Sequence, residues 1–161
     1  MSSPFISLPP SGASAPASLD DAVPFDGFFP ALSLAAARQS LRIPTDITDT
    51  RLRDALVAAM LSAAEDLTAW RHVQDIAGFA VLADCSDRMA GAEKRLTVLW
   101  RRAVHQLAAA DLAELQRGPD STAHGNDRAE QLDTIVGDHR RNARWAVRDM
   151  LGIGRSTIEL I

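Results

Sequence analysis

At 161 residues and 17.3 kDa the chain is most simply one domain, long enough to bury roughly 68 to 70% of its unfolded surface without a metal or a disulfide. A net charge of −4 and a pI near 5.5 argue against a general polyanion binder, which carries a strong positive excess. Cys85 is the only cysteine, so no internal disulfide can form and nothing points to an oxidising compartment. No basic residue precedes Arg38 and there is no long apolar run, so neither a signal peptide nor a membrane anchor is expected.

Residues 1–26 are rich in Ser, Pro and Ala and follow neither a helical nor a strand period, which describes an extended low-complexity arm. Gly27-Phe28-Phe29-Pro30 then forms an aromatic knot. Phe28 and Phe29 either anchor the arm or act as a hydrophobic lid on the core. A short helix is predicted from near Ser33 through LAAARQSLR, ending before Pro44, which biases Ile43 away from helical angles. A longer helix follows, capped by Thr48 or Asp49, with Leu52, Leu56, Ala59, Met60, Ala63, Leu67 and Trp70 as its buried stripe up to a break near Gly78.

The linking residues 78–92 offer Phe79, Val81 and Leu82 to the core, with turn residues after them. The longest uninterrupted helical stretch, from Glu93 to Arg117, carries an apolar stripe of Leu96, Leu99, Ala103, Leu107 and Ala110 with Trp100 beside it. Gly118-Pro119 ends it. After a second polar link the last long helix opens at Asn126 or Asp127, with Glu130 completing a capping box. Leu132, Ile135, Val136, Ala143, Ala146, Val147 and Met150 form its core face, and Gly137 costs it about 1 kcal/mol relative to Ala, which makes a bend there an expectation. Gly152 stops it. The alternation in the remaining residues suits a strand, which needs another chain or a sheet edge to satisfy its backbone.

The reading is an all-α protein: a small helical bundle of three long helices plus a short N-terminal helix. The extended arm covers residues 1–26, the helical domain residues 27–151 and a β-strand tail residues 152–161. Arg140, Arg144 and Arg148, four apart with Arg141 beside them, make a ridge able to contact phosphates or an acidic protein surface. The alternative is a solvated face balanced by Asp138 and Asp149. Gly152-Ile153-Gly154 is similar to a helix-hairpin-helix turn but lacks the second helix. His72 and Asp75 are too few for a metal, and His72, His105, His124 and His139 read as unrelated surface or packing residues. No metalloprotease, CxxC, phosphate-loop or nucleophile-elbow motif is present, so no catalytic residue, metal or cofactor is assigned and an enzyme is not expected. Taken on charge alone, the ridge leaves open a small helical DNA-binding regulator.

The stretches RLRDALVAAM, Glu65 with Trp70, WRRAVHQLAAADLAEL, DSTAHG, RRNARWAVRD and the terminal RSTIELI, in that order and spacing, resemble the head completion or head stabilisation proteins of contractile-tailed temperate phages, the GpL family. The likeness covers about residues 28–161. It departs at LQRGPDST, where the family usually carries more charge and an aromatic, so contacts of the loop at 117–126 are not carried over. The resemblance implies a helical adaptor subunit in a ring, twelve-fold like the portal, that sits below the portal, stabilises the DNA-filled head and offers a surface for tail joining. It implies as partners the portal protein, further copies of the chain, a tail terminator or neck protein and packaged double-stranded DNA, with no membrane. It also implies a place in the virion, at a head–tail connector assembled in the host cytoplasm. On this reading Arg155, Ser156, Thr157, Ile158, Glu159, Leu160 and Ile161 contact the portal or a neighbour, and Arg140, Arg141, Arg144 and Arg148 contact portal or DNA.

Overall fold

A computed structural model describes residues 21–115 and 123–154, with side chains in the second range from residue 132 onward. The described part is mainly helical, as its sequence periods require. Strand β1 (Ala22–Val23) pairs antiparallel with β2 (Leu32–Ser33), Val23 facing Leu32, so residues 21–26 belong to the folded body rather than to the arm. The reason is chemical as well as apolar. Val23 is buried, and the Asp21 carboxylate accepts the Ser33 hydroxyl and the Ala35 amide, each at 2.6 Å. Ser33 in turn caps α1 (Leu34–Ser40) by accepting the Ala36 amide at 3.0 Å. Residues 1–20 of the expected arm lie outside the described residues.

Thr48 caps α2 (Asp49–Asp66), whose stripe of Leu52, Leu56, Ala59, Met60 and Ala63 is buried. The single helix expected as far as Gly78 is instead two: Leu67 leaves helical angles and α3 (Thr68–Ile76) starts after it. The break has a local cause, because the Ala64 carbonyl accepts the Leu67 amide at 3.1 Å and the Thr68 hydroxyl at 3.1 Å in place of the regular helical bond. A 3₁₀ turn at Leu82–Cys85 brings Leu82 into the core and ties its amide to the Phe28 carbonyl at 2.9 Å. Val81, just before the turn, stays 37% exposed, against expectation, while Cys85 at its end packs partly buried against the core. A two-residue loop with Gly91 at φ 65° joins β3 (Met89–Ala90) to β4 (Glu93–Lys94), a small hairpin that takes the first two residues of the expected long helix.

Helix α4 (Arg95–Leu115) is the axis of the fold. Ten of its residues are buried, among them Trp100, Ala103, Val104 and Ala108 with no exposed surface, because other elements pack on several of its sides. Helix α5 (Ala123–Met150) runs antiparallel to it: Arg95 at the start of α4 donates to the Asp149 carbonyl, and Glu114 near its end pairs with Arg140. It opens at Ala123, earlier than Asn126 or Asp127, and stays helical through Gly137. Its core face holds Val136, Ala143, Ala146, Val147 and Met150, whereas Ile135 is 46% exposed, about 100° of turn from Val136. A C-terminal cap ends it. Gly152 takes φ 71° and lets the Ile153 amide reach back to the Arg148 carbonyl at 2.9 Å. The strand expected in the tail at 155–161 lies outside the described residues, and among the described residues the strands are the two short pairs above.

Candidate interaction surface

The aromatic knot is built by one carboxylate. Oδ1 of Asp26 accepts the amides of Phe28 and Phe29, both at 3.1 Å, folding the backbone so that both rings turn inward. Phe29 stacks on Trp100 of α4 with centroids 4.0 Å apart, and Phe28 meets Phe29 edge-on at 5.0 Å and Trp70 at 6.4 Å. Arg71 of α3 lies over the Phe28 ring at 4.8 Å and forms an ion pair with Asp26. Both phenylalanines are thus core residues, holding the entry of residues 21–34 onto α3 and α4.

The four ridge arginines do not form one free cationic row. Arg140 pairs with Glu114 at 2.8 Å; Arg141 pairs with Asp138 at 2.8 Å and lies over Trp145 at 5.3 Å. Arg148 donates to the Gly154 carbonyl at 2.9 Å. Arg144 is exposed and, among the described residues, has no ion-pair partner. Arg140 and Arg141 are each more than half exposed, so the Arg140 pair to α4 and the Arg141 pair within α5 are both weak and can be exchanged for a partner's carboxylates or phosphates. Asp138 does balance part of the ridge, as the solvated-face reading expects.

The histidines separate into distinct environments. His72 is exposed, and His139 shares a hydrogen bond with Gln106 across the α4–α5 seam at 2.8 Å. His105 is 7% exposed, its Nδ1 3.1 Å from the Ser40 hydroxyl and its Nε2 buried with no partner among the described residues. Burial, and then the Arg101 charge, pushes its pKa down to about 4. The Cys85 thiol is pushed up, by burial first and by Asp84 and Asp75 next, so it is a poor nucleophile. Among the described residues no group of three or more His, Cys, Asp or Glu side chains could hold a metal. Nor, among those residues, is any helix long and apolar enough to cross a membrane.

Two features escaped the sequence. The residues around His105 leave it open between surface and packing, and only its burial decides for packing. Helix α3 did carry a signal, Ala69, Val73 and Ile76 at spacings of four and three, but the stripe was absorbed into one long helix with Trp70 as its end. Three of the four ridge arginines also proved to have partners on the chain itself, which long-range contacts such as Glu114 with Arg140 decide and spacing cannot.

No solved structure matches the chain. The head completion/stabilization protein of Escherichia phage P2 is 31% identical over 134 residues, covering 83% of this chain and 79% of that protein. The phage head completion protein (GPL) family matches residues 23–161, from the first buried strand to the last residue. On both grounds the chain belongs to the phage head completion protein (GPL) family.

Proposed function

We propose that the protein is a head completion subunit that forms an adaptor ring below the portal, stabilises the DNA-filled head and provides the surface to which the tail is joined. The observation that carries this is the 31% identity to the head completion/stabilization protein of phage P2 across most of both chains. In this reading the helical body is a rigid spacer and the work is done by its surfaces and ends. Residues 155–161 reach the portal or a neighbouring copy. Strand pairing favours the portal, because the described strands of this chain are two residues long and offer too short an edge. Arg144, together with Arg140, Arg141 and Arg148 once their weak pairs are exchanged, faces the portal or packaged DNA. Phe28 and Phe29 fix the base of the arm. The partners are the portal, further copies in a ring of twelve and a tail terminator or neck protein, at the head–tail connector of the virion, with assembly in the host cytoplasm.

Electron microscopy of the purified protein mixed with portals tests the ring directly. A chain ending at Gly154 should keep its helical circular dichroism and fail to assemble; normal rings built by that chain would refute the role of the tail. Replacing Arg140, Arg141, Arg144 and Arg148 by Glu should weaken portal docking or DNA retention, and unchanged docking and retention would return them to the solvated face.

A further inference from the structure

Helix α3 leaves one apolar stripe outside the fold. None of its residues is buried, and that stripe meets water: Ile76 is 75% exposed and Val73 59%. With Ala69 these residues form one stripe along the helix, since positions three and four apart share a face. The side held against the body carries Trp70 and Arg71, where Trp70 packs on the core and Arg71 covers Phe28 and pairs with Asp26. Rotating the stripe inward would pull Arg71 away from both, so the aromatic knot itself keeps Val73 and Ile76 outside.

The chain leaves its described body beside this helix. Gly152 shares a cleft of about 220 Å³ with Trp70 and Gln74 of α3, and Arg148 fixes the Gly154 carbonyl. Residues 155–161 follow, with Ile158, Leu160 and Ile161 among them. Seven residues reach about 23 Å when extended. A helix of 9 residues is about 13.5 Å long, so that reach suffices to lay the tail along it.

We infer that residues 155–161 seat on the outward stripe of α3 of the same chain, placing Ile158, Leu160 and Ile161 over Ala69, Val73 and Ile76 in the free subunit. A tether this short gives an effective concentration in the millimolar range, whereas a second copy would have to bear the full entropy of association. The contact is one of side chains, because a helix has already satisfied its own backbone. The backbone groups of the tail therefore stay available for a partner that offers a sheet edge, and the seat holds the tail until such a partner arrives. The inference goes beyond the adaptor reading and does not depend on it.

The test pairs Ile76→Cys with Leu160→Cys in the full-length Cys85→Ser chain, treated with a short bis-maleimide at low micromolar protein. A cross-link within one chain, forming about tenfold faster than in a Thr50→Cys, Leu160→Cys control, is expected. A cross-link between chains would make a second copy the occupant and overturn the proposal, as would a rate no faster than the control. Amide exchange needs no cysteine and gives a second measure: α3 should exchange about tenfold faster in a chain ending at Gly154 than in the full chain, and equal rates would overturn the seat. Portal binding by the same two chains reads the adaptor role separately, so either idea can fail alone.

Discussion

Acidification should destabilise this protein through His105, a residue with no part in its proposed function. Its pKa falls from 6.5 to about 4 in the fold, chiefly because burial between Ser40 of α1 and the cleft lined by Arg101 and Arg102 removes the water that would solvate an imidazolium, with the Arg101 charge adding to it. A lowered folded pKa means that the unfolded chain binds the extra proton. The stability contributed by the neutral ring is therefore full above pH 6.5 and is lost as pH falls toward 4. With those values the cost is about 0.2 kcal/mol at pH 7 and about 2 kcal/mol at pH 5, a large part of the stability of a domain this size. Guanidinium unfolding of the native chain and of His105→Gln, each at pH 7 and pH 5, isolates the effect. Gln can still hydrogen-bond Ser40 and cannot titrate, while the remaining carboxylates and histidines act alike in both chains. The native chain should lose about 2 kcal/mol more than the variant between the two pH values. Equal losses would show that His105 is protonated freely in the fold and would refute the burial argument.

Other substitutions probe separate links in the same chain of reasoning. Gly137 sits exposed inside α5 with open space where a Cβ would go, so Gly137→Ala should raise stability by about 0.5–1 kcal/mol in thermal unfolding. Arg42 holds the left-handed position after α1 at φ 52°, and Arg42→Gly should stabilise by up to about 1 kcal/mol, visible as a higher denaturant midpoint at unchanged slope. Asp26→Ala leaves the Phe28 and Phe29 amides without their acceptor and should cost about 1–3 kcal/mol, whereas Asp26→Asn, which keeps a carbonyl oxygen there, should cost less by the same assay. Leu56→Ala in the sealed core should cost about 2–5 kcal/mol, while Leu61→Ala, at 58% exposure, should stay within about 0.5 kcal/mol.

The helical class and most of the core were legible in the residues themselves. Stripe positions such as Leu52, Leu56 and Met60 in α2, or Leu96, Leu99 and Ala103 in α4, recur every three or four residues and are buried together. The start of α1 near Ser33 and the cap of α2 at Thr48, one of the two residues offered for it, were legible because each side chain bonds an amide only three residues away. The start of α5 was less so, as DSTAHGN has the composition of a loop yet is helical from Ala123. The likeness to the head completion family came from the order of several stretches, each weak alone.

Period and capping are near-neighbour properties, and sequence alone therefore determined that this chain makes amphipathic helices, that the last of them stops at Gly152, and which family they belong to. Orientation and pairing depend on groups far apart in the chain, and only the tertiary structure decided them. Asp26 and Arg71, brought together across the aromatic knot, turn an apolar stripe of α3 to water; Ser40 closes over His105; and Glu114 claims an arginine of the ridge. No local pattern encodes these contacts, because each is set by which surfaces remain once α4 is enclosed.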